Sequence, residues 1–188
     1  YYRRPIERHR DRARLAQLRR RIRPVLLRRT KDAVAAELPP KQEQVVEVEL
    51  HPRHQRLYQT HLQRERQKVL GLIDDLDRNR FTVLRSLTLL RRLSLDAALL
   101  DEANAGVPAA KVEVLLDDLA EIVREGHQAL VFSQFTTFLG RIRSRLEEAG
   151  VAYAYLDGRT RNREKVVSRF RAGEASVFLI SLKAGGFG

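Results

Sequence analysis

The fold of this chain is decided by the stretch Val177-Phe178-Leu179-Ile180-Ser181-Leu182-Lys183-Ala184-Gly185-Gly186. An apolar run opens it, and small and polar residues follow. Two similar apolar runs, 129–132 and 151–156, come earlier, and helical patterns of 10–15 residues separate the three. Short strands that alternate with helices predict βαβ units and a parallel sheet covered on both faces. We therefore expect an α/β fold for residues 109–188.

Polar residues follow each predicted strand. They are Ser133-Gln134-Phe135-Thr136, Asp157-Gly158-Arg159-Thr160 and Ser181 to Gly186. The carboxyl ends of parallel strands meet at one edge of a sheet, where backbone amides and hydroxyl groups can cradle phosphate oxygens. Any one of these stretches alone is more typical of an ordinary helix cap or turn. Three in register favour a binding edge.

The first part of the chain is predicted to be mainly helical and to consist of two segments, 1–42 and 43–108. Residues 7–38 are predicted to be helical, with a break at Arg23-Pro24, because proline disfavours helix in the residue before it. Val45–Leu50 is predicted to be a strand. A helix is expected from Pro52 to about Leu70. A Leu-rich helix at 81–100 is expected to be buried on more than one side.

The positive charge is concentrated at the beginning of the chain. Residues 1–31 carry 13 basic and two acidic side chains, a net charge of +11, whereas the other 157 residues carry +1. A basic arm on a near-neutral body is typical of a segment that faces nucleic acid. The alternative is coding bias in a GC-rich genome, since Arg outnumbers Lys 30 to 6.

Composition excludes several classes of protein. There is no Cys, which excludes disulfide scaffolds, thiolate nucleophiles and Cys-ligated metal sites. No apolar run approaches the roughly 20 residues of a membrane span, so we expect no membrane partner and a cytoplasmic location. The chain starts at Tyr1 without Met and stops at Gly188 after a predicted strand, so we expect a piece of a longer protein. His54 and His61 are too far apart for a helical zinc pair and are expected at the surface.

Four sequence motifs occur in the same order as the motifs of one known family. They are Leu27-Arg28-Arg29-Thr30-Lys31-Asp32 with Leu38-Pro39-Pro40-Lys41, then Leu130-Val131-Phe132-Ser133-Gln134-Phe135, Leu156-Asp157-Gly158-Arg159-Thr160 and Ser181-Leu182-Lys183-Ala184-Gly185-Gly186. This series resembles the Swi/Snf-type ATPases, DNA translocases of helicase superfamily two, and covers about residues 22–188. The compact loop from Asp157 to Phe170 is closer to the bacterial branch, where such a protein would be associated with the nucleoid.

The resemblance implies a motor with two RecA-like lobes that hydrolyses ATP with Mg²⁺ and moves along double-stranded DNA. This chain would supply the end of the first lobe or the inter-lobe linker as a basic helical segment (1–42). It would also supply a strand and a helical insertion of the second lobe (43–108) and a truncated RecA-like helicase C-terminal lobe (109–188). Its partners would be double-stranded DNA, the first RecA-like lobe of the same parent chain, and a protein–DNA complex as the remodelling target.

The resemblance also implies roles for individual residues. The residues expected to bind nucleic acid are Ser133, Gln134, Arg159, Thr160, Ser181 and Lys183. Those expected to couple DNA contact to the nucleotide are Gly185, Gly186 and Gly188. No catalytic residue and no metal ligand is expected in this chain. The sequence contains no Gly-x-x-x-x-Gly-Lys-Ser/Thr phosphate loop, and Asp101-Glu102 follows a predicted helix rather than a strand, so it is expected to be a solvated turn.

Two further hypotheses remain open at this stage. The chain could be a non-catalytic nucleic-acid-binding module, whose affinity would fall steeply with salt because counterion release dominates such binding. It could also be an interaction scaffold, in which the Leu-rich helix at 81–100 docks a partner. The enzyme hypothesis itself predicts no ATP turnover by these 188 residues alone, because phosphoryl transfer needs a phosphate-loop lysine, a Mg²⁺ carboxylate and an arginine finger together.

Overall fold

In the part of the chain that the structure describes, three short parallel strands form a sheet in the order β1-β3-β2. They are β1 (Ala129–Ser133), β2 (Tyr153–Leu156) and β3 (Val177–Ser181). β3 lies in the middle and is buried at all five positions, and the apolar run 177–180 predicts this burial for the first four. The predicted parallel α/β sheet with flanking helices is confirmed.

The computed structural model describes residues 1–27, 42–72 and 75–185. The chain divides into two compact units, Tyr1–Val45 and Val46–Gly188. Within the described ranges, no helix is both long enough and apolar enough to cross a bilayer. The separation of 43–108 from 109–188 as distinct domains stays a prediction.

Helices cover both faces of the sheet. On one face, α5 (Ala110–Arg124) and α6 (Thr136–Glu148) pack against alternate residues of β3. The residues of this cluster include Leu119, Leu139, Ile142, Leu146, Val177 and Leu179. On the other face, α7 (Arg163–Arg171) packs against Phe178 and Ile180. Each fully buried side chain of this size contributes about 1.5–3 kcal/mol, so these two layers hold the sheet edge in place.

Two long helices precede the sheet. α3 (Pro52–Leu70) and α4 (Leu76–Leu93) pack against each other, and 3₁₀ turns follow at Ala97–Leu99 and Glu102–Asn104. α3 begins and ends where the sequence predicts, and the Nδ1 atom of His51 accepts a hydrogen bond from the backbone N–H of Arg53 at 3.3 Å.

The surface position predicted for His54 is wrong. Its side chain is fully buried, and Nε2 lies 2.6 Å from the carbonyl oxygen of Leu93. A carbonyl accepts, so Nε2 donates and the imidazole joins the first turn of α3 to the end of α4. The backbone oxygen at the end of a helix has no partner within that helix, and His54 supplies one here.

The predicted helix at 81–100 is also displaced. It begins earlier, because Asp75 caps it through a hydrogen bond from the N–H of Arg78, and it ends at Leu93. It is not buried on every side: Phe81, Leu84 and Leu87 are more than half exposed. Asp101 and Glu102 are exposed, and the predicted solvated turn is confirmed, with the Asp101 carboxylate accepting from the N–H of Ala103.

The strand predicted at Val45–Leu50 is absent. Residues 42–51 have no regular secondary structure, and Val45 is 86% exposed. An extended segment becomes a strand only when a neighbour pairs with its backbone groups. Within the described residues, the sheet consists of β1, β3 and β2, and none of these borders 45–50.

In residues 1–27, which the structure describes, the first unit has two short helices instead of one that starts at residue 7. α1 (Arg3–His9) and α2 (Arg12–Ile22) are separated by Arg10, whose φ of 49° interrupts the helix. Asp11 begins α2 by accepting a hydrogen bond from the N–H of Arg14 at 2.9 Å. The break predicted at Arg23-Pro24 is confirmed, and the rest of the predicted helix lies mostly outside the described residues.

Candidate nucleic-acid interface

The three loops at the carboxyl edge of the sheet open onto one cleft. Ser133 lies opposite Ser181 and Leu156 opposite Ile180 in the parallel register, so the loops begin at the same level. The cleft has a volume of about 550 Å³ and is lined by Gln134, Thr136, Thr137, Gly140, Arg143, Tyr155, Asp157, Gly158, Arg159, Ser181 and Lys183. Four of the residues predicted to bind nucleic acid are therefore brought together. The binding roles themselves stay predictions.

Ser133 and Thr160 belong to these loops but do not line the cleft. The hydroxyl oxygen of Ser133 accepts a hydrogen bond from the backbone N–H of Phe135 at 3.1 Å. This hydrogen bond shapes the turn that leads into α6. The first turn of that helix, which begins with Thr136 and Thr137, therefore presents its backbone amides at the cleft. Such amides carry the partial positive charge of the helix N-terminus and favour an anion nearby.

The loop after β2 is held by its own hydrogen bonds. Asp157 accepts from the backbone N–H of Arg159 at 2.8 Å, while its own N–H donates to Thr160 Oγ1 at 3.0 Å. Thr160 is thus a structural residue of the turn, and the turn leaves the side chain of Arg159 exposed beside the cleft. Arg163, whose role the sequence leaves open, is exposed at the start of α7.

The loop after β3 combines a buried hydroxyl, an exposed cation and a glycine under steric constraint. Ser181 is 3% exposed, whereas Lys183 is exposed in the single helical turn α8 (Leu182–Gly185). A Cβ at Gly185 would lie 2.8 Å from Ile180 Cγ2, so only glycine fits without displacement of the core. The other two glycines predicted to couple to the nucleotide, Gly186 and Gly188, lie outside the described residues.

Sequence reasoning missed Arg143 and Tyr155. Thr136, Gly140 and Arg143 are spaced i, i+4 and i+7 along α6, so they share one side of the helix, and this spacing could have identified Arg143. Its guanidinium lies 5.7 Å from the ring centroid of Tyr155. Burial raises the pKa of Tyr155, and the nearby Asp157 carboxylate raises it further, so its hydroxyl stays protonated at neutral pH.

The cleft is electropositive. Three cations line it (Arg143, Arg159 and Lys183) against one lining carboxylate, Asp157, although Arg143 also lies 3.8 Å from Glu147 Oε1. Cations, hydroxyl groups and helix-terminal amides are the groups that hold phosphate oxygens. The described residues contain no group of three or more His, Asp or Glu side chains placed to hold a metal ion. The groups that line the cleft fit a phosphate backbone.

Two ion pairs fix α6, the helix that forms one wall of the cleft. Arg145 holds both carboxylate oxygens of Glu113 on α5, at 2.7 and 3.0 Å, and this contact lowers the pKa of Glu113. Arg141 donates to Asp96 at 2.9 Å, and Asp96 is 1% exposed. Asp96 also accepts from the N–H of Ala98, so the carboxylate connects the turn after α4 to α6.

The parallel sheet, with helices on both faces and a polar cleft at its carboxyl edge, has the RecA-like fold that the sequence analysis predicts. Solved structures share this fold. The SWI2/SNF2 ATPase core of Sulfolobus solfataricus in complex with dsDNA aligns with a TM-score of 0.62 at 22% identity, covering 91% of this chain and 38% of that one. The C-terminal part of the Fun30 ATPase domain also aligns with a TM-score of 0.62, at 21% identity, covering 80% of this chain and 72% of that one.

The chain belongs to the SNF2 family of helicase-like ATPases, because residues 1–99 match the SNF2-related domain and residues 110–188 match the helicase conserved C-terminal domain. The Swi/Snf-type resemblance is thereby confirmed. Similar proteins include the chromodomain-helicase-DNA-binding protein 1-like of Danio rerio, 33% identical over 92% of this chain and 17% of the relative. An uncharacterized ATP-dependent helicase of Mycoplasma pneumoniae is 33% identical over 91% of this chain and 16% of the relative.

The chain spans about a sixth of the length of these relatives. They come from eukaryotes as well as from a bacterium, so they do not single out the bacterial branch.

Proposed function

We propose that this chain is part of an ATP-dependent motor that moves along double-stranded DNA, and that the cleft at the sheet edge grips the DNA backbone. The observation that carries the proposal is the convergence of Arg143, Arg159 and Lys183 beside the N-terminus of α6. These groups recognise phosphate and carry no information about base sequence. The Sulfolobus solfataricus relative in complex with dsDNA supports DNA as the ligand.

The loop after β3 is the part of the cleft suited to coupling. Ser181 ends the buried central strand, and Lys183 follows within one helical turn. If a DNA phosphate bound to Lys183 moves, the movement would reach β3 directly, because Lys183 follows that strand. β3 in turn contacts both neighbouring strands. In the intact parent, ATP and Mg²⁺ would be held with the first RecA-like lobe, which would supply the phosphate loop and the Mg²⁺ carboxylate. We propose a cytoplasmic, nucleoid-associated location for a bacterial parent, and a protein–DNA complex as its target.

The cleft is tested by DNA binding. The purified chain is titrated into a labelled duplex of about 20 base pairs, and fluorescence anisotropy is followed between about 50 and 200 mM salt. Lys183→Ala and Arg159→Ala should each weaken binding uniformly across sequences and reduce the salt slope by about 1. Lys165→Ala is the matched control, since Lys165 is exposed on α7 and does not line the cleft. Equal affinity of the wild type and both cleft variants would refute the proposal.

The second candidate is a non-catalytic, salt-sensitive nucleic-acid-binding module centred on the first unit. The observation that favours it is the row of exposed arginines at 19–21 on α2. A triple substitution of these arginines by Ala distinguishes the two candidates. If it abolishes binding while the cleft variants bind normally, the basic helix rather than the cleft is the DNA site.

A separate assay tests catalysis. We expect no ATP turnover by the purified chain, with or without DNA, because the sequence offers no phosphate loop. Turnover that co-purifies with the chain through several columns would contradict this expectation.

A further inference from the structure

A second groove lies at the junction of α3, α4 and the 3₁₀ turn Ala97–Leu99. Its volume is about 700 Å³, and it is lined by Lys68, Phe81, Thr82, Leu84, Arg85, Thr88, Leu89, Arg92, Leu99 and Leu100. None of these residues lines the cleft at the sheet edge. The groove is therefore a separate feature of the second unit, and what it binds does not depend on the DNA proposal.

The floor and one wall of this groove are apolar. Phe81 is 71% and Leu84 is 56% exposed, although both are large apolar side chains. Phe81 and Leu84 lie at i and i+3 along α4, so they form one apolar stripe, with Thr88 one turn further along the same side. Leu99 and Leu100 also line the groove. Contiguous exposed apolar surface beside a groove is typical of a protein-binding site, and such a groove takes the apolar side of an amphipathic helix.

Among the described residues that line the groove, every charged side chain is basic. Lys68, Arg85 and Arg92 line it, and no Asp or Glu is among the lining residues. The carboxylate of Glu65 lies 3.6 Å from Lys68, but Glu65 is only 7% exposed and so offers little negative surface. Arg92 donates to the carbonyl of Leu99 and keeps its charge at the groove. The complementary partner is acidic.

We propose that this groove docks an acidic amphipathic helix of a partner protein. Its apolar anchors, spaced i, i+3 or i+4, and i+7, would pack on Phe81 and Leu84, and its carboxylates would face Lys68 and Arg85. Nucleic acid is a poorer match, because a phosphate backbone leaves the apolar stripe uncovered, whereas the anchors of an amphipathic helix bury it. Charge complementarity of this kind also speeds association and selects against basic partners.

The probe is a synthetic labelled peptide of about 16 residues, with Leu at the anchor positions and Glu elsewhere on the helix. Binding to the full 188-residue chain is followed by fluorescence anisotropy. We expect a dissociation constant of about 10–100 µM, and a loss of affinity of about 10-fold for Phe81→Ser, Leu84→Ser and Arg85→Glu. Because Phe81 and Leu84 are mostly exposed, these variants should keep the circular dichroism spectrum and urea midpoint of the wild type.

The matched control is Leu87→Ser, since Leu87 is 51% exposed on the same helix but does not line the groove. A peptide with Lys in place of Glu should bind the wild type at least about 10-fold more weakly and should regain affinity for Arg85→Glu. This charge swap keeps the test decisive even if one apolar variant misfolds.

Several results would overturn the proposal. They are no binding of the acidic peptide at about 1 mM, equal binding of the basic peptide, or a loss in Leu87→Ser as large as that in Phe81→Ser. Displacement of the peptide by a DNA duplex, with DNA binding lost in Phe81→Ser, would assign the groove to nucleic acid. A dimer in sedimentation that Phe81→Ser dissociates would assign it to a second copy of the chain.

Discussion

Gly185 lies against Ile180 so closely that a Cβ on the glycine would stand 2.8 Å from Ile180 Cγ2 and 3.4 Å from a ring carbon of Phe132. The short turn that carries Lys183 can therefore fold back onto the end of the sheet only with glycine at this position. The position of the exposed lysine beside the cleft thus depends on a packing contact in the core beneath it.

Gly185→Ala should lower the free energy of unfolding by about 1–3 kcal/mol, because overpacking a filled site forces neighbouring side chains off their preferred positions. Urea denaturation measures the change. The control is Gly158→Ala, since a Cβ at Gly158 meets nothing within 4 Å, and a change within about 0.5 kcal/mol is expected there. Equal stability of the two variants would show that Ile180 can move aside.

His54→Ala should cost about 2–4 kcal/mol of unfolding free energy, because it leaves a cavity and a carbonyl without its donor. The imidazole is fully buried and bonded to the oxygen of Leu93, so its loss separates the start of α3 from the end of α4. His127→Ala, at an exposed position, should change stability by no more than about 0.5 kcal/mol. Thermal and urea unfolding of the two variants provide the comparison.

The sheet and its polar edge could be predicted from sequence because both depend on local patterns. The apolar run at 177–180 is buried at every position, and glycines follow the helices where the pattern ends, with φ of 79° at Gly126 and 67° at Gly150. Because the strands are parallel, Ser133 and Ser181 then lie at the same level of the sheet, and no long-range contact has to be known to predict this.

The features that sequence did not predict depend on contacts between distant residues. His54 is buried because its imidazole bonds to the carbonyl of Leu93, 39 residues away. Phe81 is exposed because no described element covers that side of α4. The segment 45–50 has the composition of a strand, but pairing rather than composition makes a strand. Arg143 was not predicted because it lies two helical turns beyond the polar stretch Ser133 to Thr136.

Arg143→Ala should weaken DNA binding about as much as Lys183→Ala, if the cleft grips the backbone as proposed. Each lost phosphate contact reduces the salt slope by about 1, and the double variant should lose about 2. Anisotropy titrations at several salt concentrations measure the slope. Arg124→Ala removes an exposed arginine from α5 outside the cleft and should leave the slope unchanged. An unchanged slope in Arg143→Ala would restrict the proposed contacts to the loops after β2 and β3.

The ion pair between Glu113 and Arg145 should make stability depend on pH in the acidic range. The hydrogen bond from Arg145 lowers the folded-state pKa of Glu113 below its ordinary value of 4.5. A depressed carboxyl pKa adds stability above the unfolded value, and this contribution is lost as the pH falls below 4.5 through the folded pKa. Both side chains are about half exposed, so the contribution at neutral pH should be below about 1 kcal/mol and should shrink in high salt.

Glu113→Gln should therefore be less stable than the wild type at pH 7 by up to about 1 kcal/mol, and the two should converge at acidic pH, where Glu113 is neutral in both folded and unfolded chains. Urea midpoints measured from neutral to acidic pH follow the convergence. Glu121→Gln is the control, because Glu121 lies 4.0 Å from Arg124 in a more exposed pair within one helix. If the difference between wild type and Glu113→Gln stayed constant with pH, its cause would be lost packing between α5 and α6 rather than the charge of the carboxylate.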